Sequence, residues 1–338
     1  MLYVSTRSRT DSFTSHRALH EEYAPDGGLF VPFRLPVFSS EEIQAIQEKS
    51  FRECVAQILN LFFSTGLTRM DVDLLIGRSP VRVHMMPHRL IVCELWRNIE
   101  SGYSYLERSL YQKMSKTTSK EPTDWAKIAI RIAVLFGLFA ELGREDIYEA
   151  DIAINTGDFS VPMAVWYARK MGLPIGMIIC GCNENNAMWD LIYHGEFDTG
   201  LTVVHTELPA LDHPCPRSVE RLIYSVFGLG ETLRYAAVCA GGGVYALDEK
   251  QLPLFNDRLA SAVVSSRRTR SVIISTYRAA GYIIDGYTAV AYGSLQDYRA
   301  STCESCRTLL LADNSPIHSE AAVSKHLGLS KEEFRKKL

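Results

Sequence analysis

Two short polar clusters in this chain have the residue types and the placement for small-molecule chemistry. Thr156-Gly157-Asp158-Phe159-Ser160 follows an apolar run at 152–154, and Asn183-Glu184-Asn185-Asn186 follows another at 175–182. Between the clusters, Pro162 fits a first helical turn, where its missing N–H costs nothing. Arg169 and Lys170 suit the last turn, Gly172 a left-handed stop, and Pro174 blocks continuation. Strand, helix and strand of this length predict a right-handed parallel βαβ unit. Ligands bind at the carboxyl ends of strands in such units, where both clusters fall.

The elements that must position these clusters are legible in part. The 338 residues suffice for one large or two moderate domains, and 47% hydrophobic with 22% charged residues is ordinary for a globular chain. A net charge of −3 argues against nucleic acid or an anionic membrane as partner. The tightest basic group, Arg267-Arg268-Arg270, reads as a solvated helix start. The longest apolar stretch, 128–142, is interrupted by Arg131 and is too short to span a bilayer. No apolar signal core opens the N-terminus, and eight irregularly spaced cysteines do not form a disulfide framework, so a reducing cytoplasm is expected.

Residues 1–90 read as a small α+β domain. Strands are expected at 3–6 and 29–32, and helices at 40 onward, 51–63 and 69–76, with extended pieces over 81–95. Residues 91–122, with Lys113, Lys116 and Lys120 among polar neighbours, read as a solvated linker. Residues 123–338 read as the large α/β domain. It opens with a helix capped at Thr123 or Asp124 and holds the βαβ unit. A strand at 201–206, helices at 217–227, 252–259, 268–280 and 288–295, a strand at 308–312 and a terminal helix pair follow.

Several motifs together resemble threonine synthase, a pyridoxal-phosphate (PLP) enzyme of fold type II. They are Tyr3-Val4-Ser5-Thr6-Arg7 and Ala24-Pro25-Asp26-Gly27-Gly28-Leu29-Phe30-Val31-Pro32 at the N-terminus. Further on come Thr156-Gly157-Asp158-Phe159 with Asn183-Glu184-Asn185, then Pro209-Ala210-Leu211-Asp212 with Glu220-Arg221-Leu222, and Gly281-Tyr282-Ile283-Ile284-Asp285. The resemblance implies an α/β fold: a three-layer domain with a mainly parallel sheet, like that of tryptophan synthase β, beside the small N-terminal domain. It also implies that any PLP would be held by Thr156, Gly157, Asp158, Phe159, Ser160, Asn183, Asn185 and Asp313.

The same resemblance shows where the chemistry is missing. PLP catalysis needs a lysine amine for the Schiff base, which the family carries in a Phe-Lys-Asp motif. Here Cys93-Glu94-Leu95-Trp96 begins the corresponding segment, but Arg97-Asn98-Ile99-Glu100 follows with no such lysine, and the family's small domain is absent. Ser160 stands where the family has glycine, and Asp158 stands for asparagine, placing a carboxylate beside a would-be phosphate. Asp313 replaces a threonine near the pyridine nitrogen and is chemically able to pair with a pyridinium.

The expected function is therefore a degenerate threonine synthase homologue with no catalytic residue and no cofactor, retaining a ligand crevice or a subunit surface. Its partners would be a small anionic or amino-acid-like ligand, a second copy, or a family subunit. The alternative is an active PLP-dependent lyase converting O-phosphohomoserine to threonine, with a lysine from 97–122 or from another chain. Cys303-Glu304-Ser305-Cys306 has metal-knuckle spacing but lacks a second pair, and His84 and His88 support a metal only weakly. Gly241-Gly242-Gly243 follows a helix, which is the wrong context for a phosphate loop.

Overall fold

Alternation along the central strands sets the architecture. The computed structural model describes residues 1–76, 81–96, 103–118, 121–143 and 149–338. Strands β1 (Leu2–Ser5), β2 (Phe13–Thr14) and β3 (Phe30–Pro32) form a small antiparallel sheet in the order β2-β1-β3. The large sheet takes β4 (Arg82–Met86), β5 (Leu90–Glu94), β6 (Ala150–Asn155) and β7 (Ile175–Cys182). A ribbon of β8 (Glu196–Asp198) and β9 (Val244–Ala246) lies apart, and β10 (Leu259–Val263) and β11 (Thr308–Ala312) complete the large sheet. Its order is β10-β7-β6-β11-β5-β4, parallel throughout except for the antiparallel edge strand β4.

Both faces of this sheet are covered. Ile91, Cys93, Ile152, Ile154, Ile178, Cys180, Leu309 and Leu311 point into one core with helices Phe51–Phe63, Asp124–Gly143 and Ser160–Lys170. Leu90, Val92, Ala153, Ile179 and Leu310 point the other way, against Ala291 and Leu295 of helix Gly286–Thr302. Burial on both faces explains why these strands read as continuous apolar runs. Gly181 is required here, because a Cβ would lie 2.6 Å from the Val290 carbonyl oxygen of that helix.

The N-terminal motifs tie the small sheet to helix Val219–Phe227. Thr6 Oγ1 donates to Glu220 Oε1 at 2.5 Å, and Arg7 grips the same carboxylate through Nε (3.1 Å) and Nη2 (2.8 Å). Gly27 at φ +76° makes the turn, while Asp26 accepts from Ser5 Oγ and the Gly28 N–H. Arg221, fully buried, is held by Asp124, Ser218 Oγ and the Phe30 carbonyl. Burial would raise the Asp124 carboxyl, but Arg221 holds it below its ordinary value.

Helices Phe51–Phe63 and Arg69–Ile76 form where their periodicity predicts them, the first closed by a Ser50–Glu53 capping box. Four expectations change. Residues 103–115, read as linker, form a helix whose Tyr103, Leu106, Leu110, Tyr111 and Met114 enter the main core. The boundary at 90 falls at the start of β5, so the β4–β5 hairpin belongs to the large sheet. Residues 201–206 are not a strand; Asn185 pins that stretch, accepting from the Val204 N–H and donating to its carbonyl. The helix expected at 252–259 ends at Phe255, and Leu259 begins edge strand β10. No helix among the described residues is long and apolar enough to cross a membrane.

Candidate functional site

Strands β6 and β11 are neighbours, yet the chain leaves β6 toward β7 and β10 and returns to β11 from the opposite side. Such a reversal leaves a gap at the carboxyl ends of the two strands. A crevice of about 590 Å³ opens there. Asn155, Gly157, Asp158 and Ser160 line it after β6, and Asp313 and Asn314 after β11. Helix Tyr103–Ser115 contributes Tyr103 and Glu107, helix Asp124–Gly143 contributes Lys127 and Arg131, and residues 210–217 close one side.

The 156–160 loop is tightly built. Thr156 is buried and its N–H donates to the Gly181 carbonyl at 2.8 Å. Gly157 (φ +46°) and Phe159 (φ +65°) both adopt left-handed conformations. For Phe159 that is strained, and its buried ring holds the conformation. Helix Ser160–Lys170 begins two residues before Pro162. The Ser160 N–H donates to Asp158 Oδ1 at 2.9 Å, and the Ser160 hydroxyl donates to the same oxygen at 2.5 Å. Pro162 has no N–H, and that of Met163 goes to the Phe159 carbonyl. Of the first four helical residues, Val161 alone keeps a backbone donor for an external anion, and the Asp158 carboxylate already holds the helix end.

Beside β11 the space is also taken. Arg131 is buried and donates to both oxygens of Asp313, each at 2.7 Å. Its guanidinium lies 3.4 Å from the Tyr103 ring centroid, and the Tyr103 N–H donates to the Asp313 carbonyl at 3.3 Å. Burial disfavours the charge on Arg131, but the Asp313 carboxylate outweighs it and keeps the guanidinium protonated. Asp313, expected to be available to a pyridinium, is thus engaged by an arginine from a helix 182 residues earlier.

Asn183 and Asn185 do not reach this crevice. Asn183 Nδ2 donates to Thr206 Oγ1 (3.0 Å) and Asp212 Oδ1 (2.7 Å), and Asn183 Oδ1 accepts from the Asn185 N–H. Asn183 instead lines a separate cavity of about 50 Å³ near Ser266 and His326. The two polar clusters therefore part: 155–160 faces the crevice, and 183–185 anchors the 199–212 loop.

Three crevice residues escaped sequence reasoning. Glu107, partly buried, forms no hydrogen bond or ion pair among the described residues. Burial pushes its carboxyl up to about 7, with Arg131 and Lys127 opposing and Asp313 and Asp158 adding to the shift. Lys127 is likewise unpaired among the described residues. The third, Arg131, carried a signal: a charge inside the 128–142 apolar run calls for a buried partner. Lys127 lies four residues before it, on the same helical face. Of the lysines weighed earlier, Lys113 pairs with Asp71 at 2.7 Å and Lys120 lies outside the described residues. Desolvation and nearby Cys239 push the Cys215 thiol up to about 11, so it is no thiolate nucleophile at neutral pH. Cys303 and Cys306 are exposed, and no group of three metal-capable side chains occurs among the described residues.

Residues 2–79 match the family model "Threonine synthase N terminus". The chain is 33% identical over 118 residues to threonine synthase-like 2 of Mus musculus, covering 32% of this chain and 24% of that protein. It is 28% identical over 112 residues to mouse threonine synthase-like 1, covering 32% and 15%. These alignments thus span a quarter or less of the relatives' length. The fold matches PLP-bound threonine synthase from Brucella melitensis with TM-score 0.86 at 19% identity, over 97% of this chain and 92% of that one. It matches yeast threonine synthase with TM-score 0.83 at 18% identity, over 99% and 91%.

Proposed function

We propose that this chain, with the N-terminal domain of a threonine synthase and the threonine synthase fold, is a pseudoenzyme that has given up PLP chemistry and keeps its crevice for a small ligand. The observation that carries this is the capture of the Ser160 N–H by Asp158, at the helix start facing the crevice. A phosphate dianion there would meet a carboxylate and a depleted set of N–H donors. The Arg131–Asp313 pair supports the same reading, because Asp313 already has a cationic partner. The residues present do not fit the cofactor's phosphate. None of the eight cysteines, all among the described residues, forms a disulfide, which is compatible with a reducing cytoplasm.

The test is to incubate the purified chain with PLP, reduce with borohydride, and map pyridoxyl groups by mass spectrometry. No stoichiometric label is expected. One lysine labelled stoichiometrically would sink the reading.

One observation favours the active-enzyme alternative: Lys127 lines the crevice. If the chain is a PLP-dependent lyase on its own, Lys127 is where the label should appear, and rescue of a threonine auxotroph should depend on it.

A further inference from the structure

Lys127 and Glu107 project into one crevice from two different helices, and neither is paired among the described residues. They act on each other electrostatically without forming an ion pair. The other charges facing the space are mostly committed. Arg131 holds Asp313, and Arg217 holds Glu22 at 3.1 Å and donates to the Tyr23 hydroxyl. Asp158 is hydrogen-bonded to Ser160 but has no cationic partner among the described residues. Among the described residues the crevice therefore presents an unneutralised acidic side, Glu107 with Asp158, and one free ammonium at Lys127. A phosphate is repelled by the acidic side, a simple amine by Lys127, and a simple carboxylate by Glu107.

We propose that the crevice binds an unphosphorylated free α-amino acid, its ammonium group at Glu107 and Asp158 and its carboxylate at Lys127. This rests on the reading that the crevice no longer serves PLP, and it names the ligand class of that same site. A volume of about 590 Å³ leaves room for a side chain and water beside the zwitterionic end. Ammonium and carboxylate groups lie close together on an α-amino acid, and Glu107 and Lys127 line one crevice within electrostatic reach of each other.

The experiment is calorimetric titration of the full chain with each common L-amino acid singly. The best binder is then compared with its amide, which lacks the carboxylate, and its N-acetyl derivative, which lacks the ammonium. O-Phosphoserine and inorganic phosphate are titrated alongside. One or more free amino acids should bind, each truncated derivative at least about tenfold more weakly, as expected when a charged partner is removed. Glu107→Gln and Lys127→Gln should each weaken binding by a similar factor, while Glu107→Asp and Lys127→Arg should retain part of it. Thermal melts confirm folding of each variant. If no amino acid binds, the proposal fails while the PLP reading stands. If O-phosphoserine or phosphate binds more tightly than any free amino acid, both fail. Binding that the Glu107 and Lys127 variants leave unchanged also overturns the assignment.

Discussion

The Asp158 carboxylate accepts both the backbone N–H and the hydroxyl of Ser160, two residues ahead of it, and so closes its own helix from within. An internal anion sits where an external one would bind. Replacing Asp158 with Asn and Ser160 with Gly should remove the charge, free the Ser160-position N–H and let a ligand approach the backbone. Inorganic phosphate affinity, read by calorimetry, should rise by about tenfold or more, given the strength of charge-assisted contacts at a helix start. No gain in the double variant would argue that Asp158 does not guard the site.

Arg131 is buried against Tyr103 and bound by Asp313 through two hydrogen bonds. Arg131→Met should leave Asp313 without a partner and remove the stacking on Tyr103. Breaking a buried pair from one side costs about 3–5 kcal/mol. The Asp313 side chain keeps 23% exposure, which lowers the expected loss to roughly 2–3 kcal/mol in urea unfolding. Adding Asp313→Asn should recover part of it, because the stranded charge is then gone.

Glu107 titrates near neutrality because burial raises its carboxyl to about 7, facing Arg131, Lys127, Asp313 and Asp158. Its unfolded value is about 4.3. A raised folded pKa means the native state binds an extra proton between those values. Stability from this group is therefore greatest below about pH 4 and is lost as pH rises through about 7. Glu107→Gln should gain on the wild type as pH climbs across that window. Parallel stability curves for the two proteins from pH 4.5 to 8 would show that Glu107 titrates elsewhere (~4.3).

Asp124 and Arg221 meet in the interior, tying helix Asp124–Gly143 to Val219–Phe227 and, through the Phe30 carbonyl, to β3. Asp124→Ala should strand a fully buried guanidinium and cost about 3–5 kcal/mol. Because the same arginine reaches the small sheet, limited proteolysis should cut the N-terminal domain faster in the variant.

What the sequence made legible follows from how far each determinant reaches along the chain. Strand Ile175–Cys182, strand Thr308–Ala312 and helix Phe51–Phe63 are written in local runs and caps, and they stand where they were read. Helix Tyr103–Ser115 was hidden because lysine, serine and arginine fill the gaps between its buried positions, leaving a low average hydrophobicity over a true stripe. Strand Leu259–Val263 was missed because Leu-Ala-Ser-Ala-Val carries little β-branching. A crevice opens at the end of β6 beside the 155–160 loop, but Asn183 and Asn185 do not line it. Asn183 looks like a ligand group and serves as a loop anchor, through partners at 206 and 212. The Arg131–Asp313 contact spans 182 positions, a distance no local pattern encodes.

Helix Tyr103–Ser115 has a mechanical consequence. Its apolar side belongs to the same continuous core as helix Asp124–Gly143, so one wall of the crevice is fixed to the body of the molecule. A fixed wall cannot swing shut on a guest. Any closing must come from the 210–217 side, while Glu107, Lys127 and Arg131 stand on helices held by the core before a guest arrives.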